Sequence, residues 1–265
     1  LVSCVNDIVE NRIETNLKVA SRTLLVDLPE NSSFTVSEFV SMQQTHISGK
    51  SRLLQDKNME VENAVNDLIQ QISSYQFESQ PDDAIEIIPA TDVSKLRDHY
   101  NHCMYQALLH SAKNSLNTLK KRIGSRKGTS ILTASQRPFF DVDVQLIPPN
   151  VLLSPSLDEI QKCINESAKA VLACYKKIKD WGFFILPKEK RADHTFFVRI
   201  TKDIELVKVA LLLTGCVQGI RNTVAEYLDS FKKYDWLWKM DKDEAYDKFA
   251  KTDPSLETYE AKLGY

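Results

Sequence analysis

Apolar residues recur along much of this chain at alternating steps of three and four, which places side chains on one stripe of an α-helix. The longest such seam lies near the C-terminal end and runs into an aromatic cluster. Its members are Leu206, Ala210, Leu213, Val217, Ile220, Val224, Tyr227, Phe231, Tyr234 and Trp238. The spacing predicts one long helix with a continuous buried face over residues 206–238.

Similar seams predict the helices that come first in the chain. The first helix is expected to end near Asp27. The second is expected to begin at Thr35-Val-Ser-Glu38, whose hydroxyl and carboxylate have the spacing of a capping box, and to pass a candidate bend at Gly49. Residues 80–83 should break it, and residues 84–89 should form a covered connector.

Two further helices are predicted after that connector. The third should be capped by Asp92 and run to about Ile123, with Gly124 in the left-handed C-terminal position. The fourth should be capped by Ser156 and carry its seam to Trp181. A short helical turn over residues 194–200 should then lead into the long C-terminal helix.

Between the third and fourth helices the apolar period changes from 3.6 to 2. Phe140, Val142, Val144 and Leu146 alternate with polar residues, which predicts an extended strand with one apolar face. A single strand is not stable alone, so it should lie across the helices, pair with residues 151–153, or pair with a short partner elsewhere.

These elements define the expected fold class and domains. We predict an all-α fold of elongated bundles of long antiparallel helices, with one short extended or β segment near residues 138–153. Residues 1–137 should form an N-terminal bundle of three long helices, and residues 138–265 a second bundle.

Composition supports a helix-rich globular chain. Of 265 residues, 43% are hydrophobic and 26% charged, with 7 Gly and 9 Pro. No apolar run approaches the roughly 20 residues of a membrane span. Five cysteines without CxxC spacing favour a reduced, intracellular protein.

The charge is unevenly distributed. Residues 1–90 carry 14 acidic and 6 basic side chains, a net charge of −8, whereas residues 91–137 carry 2 and 9, a net charge of +7. Such segments could steer partners towards opposite faces, although solvated surfaces without a specific partner explain the pattern equally well.

The sequence contains only weak candidates for a metal site. His99, His102, Cys103 and His110 could share a helical face as zinc ligands, but the sequence supplies no further ligand pair. Asp141 and Asp143 point the same way from a strand and could bind a cation, yet solvent-facing carboxylates on an edge strand are more common.

Other classes of site are disfavoured for similar reasons. The loop at residues 124–130 lacks the spacing of a phosphate-binding loop. No serine or cysteine has a histidine and an acid at motif spacing, and the aromatic residues are not interleaved with a basic patch. We therefore expect no enzymatic activity, no metal or cofactor, no nucleic acid and no membrane for these residues.

Two stretches together resemble the dynein heavy chain family. One is the long helix followed by Tyr234-Asp-Trp-Leu-Trp238, an acidic-basic helix and a helix opening at Pro254-Ser-Leu256. The other is the extended stretch from Pro138, with Pro-Asn-Val at residues 149–151 and Pro-Ser-Leu-Asp-Glu-Ile-Gln at residues 155–161. The match is good over residues 138–265 and loose over residues 1–137. It is similar to the tail just before the linker, and to axonemal more than cytoplasmic heavy chains.

The resemblance implies a force-transmitting scaffold without catalysis in these residues. The full-length protein would be a microtubule motor using ATP and Mg, located in the cytoplasm, cytoskeleton and cilium axoneme. Its expected partners are intermediate and light chains, neighbouring heavy chains and axonemal docking proteins. The residues carried over by motif, all as a structural junction, are Tyr234, Trp236, Trp238, Phe249, Pro254, Leu256 and Tyr259. The alternative is an unrelated α-helical adaptor or tethering protein.

Overall fold

The computed structural model describes residues 2–29, 32–78, 90–124, 139–147, 150–182, 194–252 and 261. These residues are mostly helical, and the strands among them form one antiparallel two-stranded sheet. The predicted fold class, all-α with a short β segment, is confirmed. None of the described helices is long and apolar enough to cross a membrane.

The chain forms two compact units that interleave along the sequence. The first contains residues 1–141 and 157–219, and the second contains residues 142–156 and 220–265. The predicted domains at residues 1–137 and 138–265 stay a prediction.

The first unit is helical. Its elements are α1 (Val2–Asp7), a π-helical segment (Ile8–Glu14), α2 (Thr15–Arg22), α3 (Val36–Glu78), α4 (Ala90–Gly124), α5 (Leu157–Ala173), a 3-10 segment (Cys174–Lys177), α6 (Phe196–Thr201) and the first part of α7 (Ile204–Asp229). One apolar cluster joins them. Its largest fully buried side chains include Phe39, Leu54, Met104, Leu108, Tyr175 and Phe196. Each long helix therefore buries a stripe against its neighbours, as the seams predict.

The start of α3 follows the predicted capping box. The backbone N–H of Thr35 donates to the carboxylate of Glu38 at 3.0 Å, and the N–H of Glu38 donates to the hydroxyl of Thr35 at 3.3 Å. The helix continues through Gly49 to Glu78. The predicted break at residues 80–83 and the connector at residues 84–89 lie outside the described residues.

Two predicted helix ends and one predicted glycine conformation are wrong. The first helical stretch ends at Arg22 rather than near Asp27. Thr23 has an extended backbone conformation, and the backbone groups after it form hydrogen bonds with side chains of other helices. Helix α4 begins at Ala90, so Asp92 lies in its first turn and pairs with Lys95 instead of capping.

Gly124 is the third case, since it ends α4 without a left-handed backbone conformation. The absence of a side chain at Gly124 matters for packing instead, because a Cβ atom there would lie 2.9 Å from the sulfur of Cys216. A real Cβ essentially never approaches another heavy atom so closely, so a larger residue at position 124 would require the Cys216 side chain or the helix end to shift.

The continuous buried face predicted for residues 206–238 is also wrong. The α-helix ends at Asp229, and Leu206, Leu213 and Val217 are its buried residues. Ile220 is 39% exposed and Tyr227 is 59% exposed. Periodicity identified the apolar stripe, but whether a neighbouring element covers that stripe depends on the tertiary structure.

The second unit contains a β-hairpin and the C-terminal helical segments. Strands β1 (Asp143–Ile147) and β2 (Asn150–Ser154) pair with Val144 opposite Leu153 and Leu146 opposite Val151. Of the three alternatives for this strand, pairing with residues 151–153 is the one that the structure shows. The helical segments are the rest of α7, a 3-10 segment (Ser230–Tyr234), α8 (Asp235–Lys239) and α9 (Lys242–Thr252).

Candidate functional site

The residues of the predicted structural junction belong to the C-terminal helical segments. Tyr234 is half-buried, and the Nζ atom of Lys233 lies 4.8 Å from the centre of its ring. Trp236 in α8 is 56% exposed and Phe249 in α9 is 45% exposed. Outside the described part of the chain lie the side chain of Trp238 and all of Pro254, Leu256 and Tyr259. The junction role of this set stays a prediction.

A buried polar cluster lies instead in the first unit, around Asp180. Its carboxylate is fully buried and accepts hydrogen bonds from Arg199 Nη1 at 3.0 Å and Asn101 Nδ2 at 2.9 Å. The backbone N–H of Gly182 donates to the same carboxylate at 3.3 Å. The buried charge is therefore both paired and hydrogen-bonded, as a buried carboxylate requires. These bonds connect α4 to α6 through the loop that carries Asp180.

Arg199 is held in place by aromatic rings as well as by Asp180. Its guanidinium carbon lies 4.4 Å from the ring centre of Tyr105 and 5.8 Å from that of Phe196. Because a guanidinium stacks well on an aromatic face, both rings favour the orientation that reaches Asp180.

Tyr105 extends the cluster towards α7. Its hydroxyl donates to the carboxylate of Asp203 at 3.0 Å, and Asp203 accepts the N–H groups of Glu205 and Leu206 at the start of that helix. Burial raises the pKa of Tyr105 to about 12, and the bond to Asp203 adds to the effect. Burial alone would raise the pKa of Asp203, but the hydrogen bonds outweigh it and lower that pKa.

On its other side the cluster reaches α3. Asn58 Nδ2 donates to the carbonyl of Lys179 at 3.1 Å, and Trp181 Nε1 donates to Asn58 Oδ1 at 3.1 Å. A side chain at Gly182 would overlap the amide of Asn101. We define the Asp180 cluster as Asn58, Asn101, Asp180, Trp181 and Arg199; it joins α3, α4 and α6.

A second set of polar contacts holds the extended segment after α2. The hydroxyl of Ser111 donates to the carbonyl of Thr23 at 2.6 Å, and the N–H of Leu25 donates to the hydroxyl of Ser115 at 2.9 Å. Gln43 Nε2 donates to the carbonyl of Asp27 at 2.5 Å. These bonds satisfy backbone groups that the helix no longer pairs.

Three buried or half-buried thiols do not favour nucleophilic chemistry. Burial raises the pKa of Cys163 to about 11 and also raises the pKa of Cys174 and Cys103. The reactive form of cysteine is the thiolate, so all three are predominantly in the unreactive form at neutral pH.

The candidate ligands named from the sequence are only partly brought together. His99 Nε2 lies 3.7 Å from the sulfur of Cys103, while His102 contacts Gln106 and the ring of Tyr105. No group of three or more metal-binding side chains converges within the described ranges.

The remaining candidates have different environments. The carboxylate of Asp141 accepts a 2.5 Å hydrogen bond from the hydroxyl of Ser33, whereas Asp143 begins β1. In the candidate loop at residues 124–130, every residue after Gly124 lies outside the described part.

Sequence reasoning did not single out the Asp180 cluster. Asp180 lies between Ile178 and Trp181 at the end of a predicted apolar seam, where a charged residue needs a partner. The position of Asp180 in the sequence therefore indicates a buried charge. It does not identify the partners, because Asn58, Asn101 and Arg199 are distant in sequence and meet only in the folded chain.

Comparison with known proteins identifies the class of this helical chain. No protein-family profile matches it. It is 41% identical over 263 residues to the dynein gamma chain of the flagellar outer arm of Chlamydomonas reinhardtii, an alignment that covers 99% of this chain. It is also 22% identical over 359 residues to dynein axonemal heavy chain 5 of Mus musculus, and 24% identical over 331 residues to dynein axonemal heavy chain 8 of Homo sapiens.

The chain belongs to the axonemal dynein heavy chains, and the predicted family is confirmed. The alignments cover 100% of this chain for the mouse protein and 97% for the human one, so the similarity includes residues 1–137, where the motif match was loose. The chain spans only 6 to 8% of the length of these relatives. Their flagellar and axonemal names agree with the predicted location in the cytoskeleton of the cilium.

Proposed function

We propose that this chain is a tail segment of an axonemal dynein heavy chain, where it acts as a structural scaffold that anchors the motor and transmits force. The observation that carries the proposal is the single apolar core of the first unit, which joins every helix from α1 to α7. Closely packed interiors have low compressibility and transmit strain. A helical unit built in this way passes a load on with little internal deformation.

The Asp180 cluster supports the same role. Its hydrogen bonds are directional, so α3, α4 and α6 keep one relative arrangement when they are loaded. An apolar contact alone tolerates sliding more easily, because it has no preferred direction. The helices are therefore tied together by both packing and polar contacts.

In the longer protein, we propose ATP-driven movement on microtubules, with ATP and Mg²⁺ bound outside these residues. The proposed partners are dynein intermediate and light chains, neighbouring heavy chains and axonemal docking proteins. The support is the similarity to heavy chains of flagellar outer and inner arms. An unrelated helical adaptor accounts less well for 41% identity over an alignment that covers 99% of the chain. The full-length transcript tests this choice, since the adaptor would lack a linker and several Walker motifs after the codon for Tyr265.

A nucleotide titration tests the absence of catalysis in these residues. We expect the 265-residue chain neither to bind nor to hydrolyse ATP, because its sequence lacks the glycine-rich loop and lysine that cradle phosphates. Calorimetry with ATP and Mg²⁺ provides the measurement. Magnesium-dependent binding with a dissociation constant of about 1 μM, corresponding to about 8 kcal/mol, would contradict the assignment to the tail.

A further inference from the structure

An open groove of about 550 Å³ lies between α2 and α4. Ala107 and Leu109 of α4 line it and are almost fully buried, so they form its floor. Four basic side chains line the same groove: Lys18, Arg22, His110 and Lys113. No carboxylate is among its lining residues.

The positive charge of the groove is only partly compensated nearby. Lys18 pairs with Glu14 at 3.0 Å, and both side chains are largely exposed. Lys113 lies 4.0 Å from Asp203, whose carboxylate also accepts bonds from Tyr105 and α7. Arg22 and His110 have no ion-pair partner among the described residues. The net field in the groove is therefore positive and attracts an anionic group.

The shape and lining of the groove decide between kinds of anion. Single-stranded nucleic acid requires aromatic platforms for its bases, and no Phe, Tyr or Trp side chain lines the groove. An open groove with an apolar floor and basic walls matches a peptide that has an apolar face and carboxylates along its edges. Complementary charge then fixes its position and raises its association rate.

We propose that the groove between α2 and α4 binds an acidic, amphipathic peptide segment of a partner protein. Apolar side chains of that segment contact the half-buried Leu17, which also lines the groove, while its carboxylates pair with Arg22, Lys113 and Lys18. This inference does not depend on the scaffold role, because it rests on the charge and shape of the groove alone.

The test uses the 265-residue chain and a labelled synthetic peptide in which Glu alternates with Leu at helical spacing. Fluorescence anisotropy measures its dissociation constant. We expect the double variant Arg22→Glu/Lys113→Glu to bind at least about tenfold more weakly. The matched control, Lys162→Glu/Lys208→Glu, changes the net charge equally at two exposed lysines of α5 and α7 and should bind within about twofold of the unchanged chain.

Three outcomes would overturn the proposal. They are no binding by the unchanged chain, equal weakening in both double variants, and equal binding of a peptide in which Gln replaces Glu. Circular dichroism verifies that each variant folds. If Arg22→Glu/Lys113→Glu does not fold, the exposed single variant Arg22→Gln replaces it, and unchanged affinity in that variant overturns the proposal as well.

Discussion

The carboxylate of Asp180 is fully buried, so its negative charge depends on the groups around it. Arg199 supplies the opposite charge, while Asn101 and Gly182 supply further hydrogen bonds. Removing one partner of a buried ion pair leaves an uncompensated charge in a medium that solvates it poorly. The stability of this cluster therefore depends strongly on the positive charge of Arg199.

Arg199→Met tests this dependence. We expect it to lower the free energy of unfolding by about 3 kcal/mol, since the carboxylate of Asp180 stays buried without its cation. Urea denaturation measures the loss. Lys208→Met is the control, because Lys208 and its partner Glu205 are both exposed, and it should cost less than about 0.5 kcal/mol. Equal losses in the two variants would show that the buried pair contributes no more than a surface pair.

The bond between Tyr105 and Asp203 predicts a pH dependence at both extremes. The pKa of Asp203 is lowered in the folded chain, so its contribution is present above the ordinary aspartate value and is lost as the pH falls through the lowered pKa. The pKa of Tyr105 is raised to about 12, so its contribution is present below about pH 10 and is lost as the pH rises towards 12.

Denaturation midpoints measured from about pH 9 to 12 test the alkaline limb. Tyr105→Phe should make the denaturation midpoint depend less steeply on pH in this range. The buried Tyr175, whose pKa is also raised by burial, should account for the dependence that remains. Tyr227→Phe removes a largely exposed hydroxyl and should leave the slope unchanged. A slope that is the same in Tyr105→Phe and in the unchanged chain would contradict the assignment.

At the scale of elements, α3 shows a helix whose start is determined locally. Thr35 and Glu38 exchange hydrogen bonds at its N-terminus, and the bonds to Thr35 lower the pKa of Glu38. Two otherwise unpaired N–H groups are satisfied by residues only three positions apart. Such a boundary depends little on the rest of the fold.

Thr35→Ala should lower the free energy of unfolding by about 1 kcal/mol, the usual cost of losing an N-cap hydroxyl. Thermal melting followed by circular dichroism measures the effect. Thr45→Ala is the matched control, since Thr45 is exposed and its hydroxyl bonds only the carbonyl of Ser41 one turn earlier. A loss at Thr35 no larger than that at Thr45 would mean that the capping bonds contribute nothing.

Local signals explain which elements the sequence predicted well. The capping box, the hairpin pairing of residues 143–154 and the start of α5 after Ser156 all follow from residues close together in the chain. The early end of α2 does not, because two serines of α4 replace its next turn: the Ser111 hydroxyl donates to the carbonyl of Thr23, and the Ser115 hydroxyl accepts from the N–H of Leu25. The buried face of α7 likewise depends on distant elements, and beyond Val217 the seam contains the exposed Ile220 and Tyr227.

At the scale of the whole molecule, the exposure of Trp236 bears on the predicted junction. The motif shared with the family gives this tryptophan a structural role, yet its side chain is 56% exposed in the described chain. A tryptophan that is exposed here contributes to stability only if another part of the longer protein or a partner covers it. The predicted junction would therefore require other parts of the longer protein or a partner to cover Trp236.

Trp236→Ala should affect the full-length motor but not the stability of the 265-residue chain. In the 265-residue chain, the free energy of unfolding should change by less than about 0.5 kcal/mol, because little burial is lost. In the full-length motor, we expect ATPase activity to be largely kept while ordered attachment or gliding under load is weakened. Trp181→Ala is the contrast, since Trp181 is buried and its loss should cost about 3 to 5 kcal/mol in the chain alone. Normal attachment of the Trp236→Ala motor would contradict the junction role.

The close approach of Gly124 to Cys216 also provides a chemical reporter. A thiol reagent needs space around the sulfur that the end of α4 occupies, so modification of Cys216 should slow while the two helices stay in contact. Cys4 is exposed and provides an internal reference for reagent reactivity. The ratio of the two labelling rates would then indicate how often this contact opens while the chain is under tension.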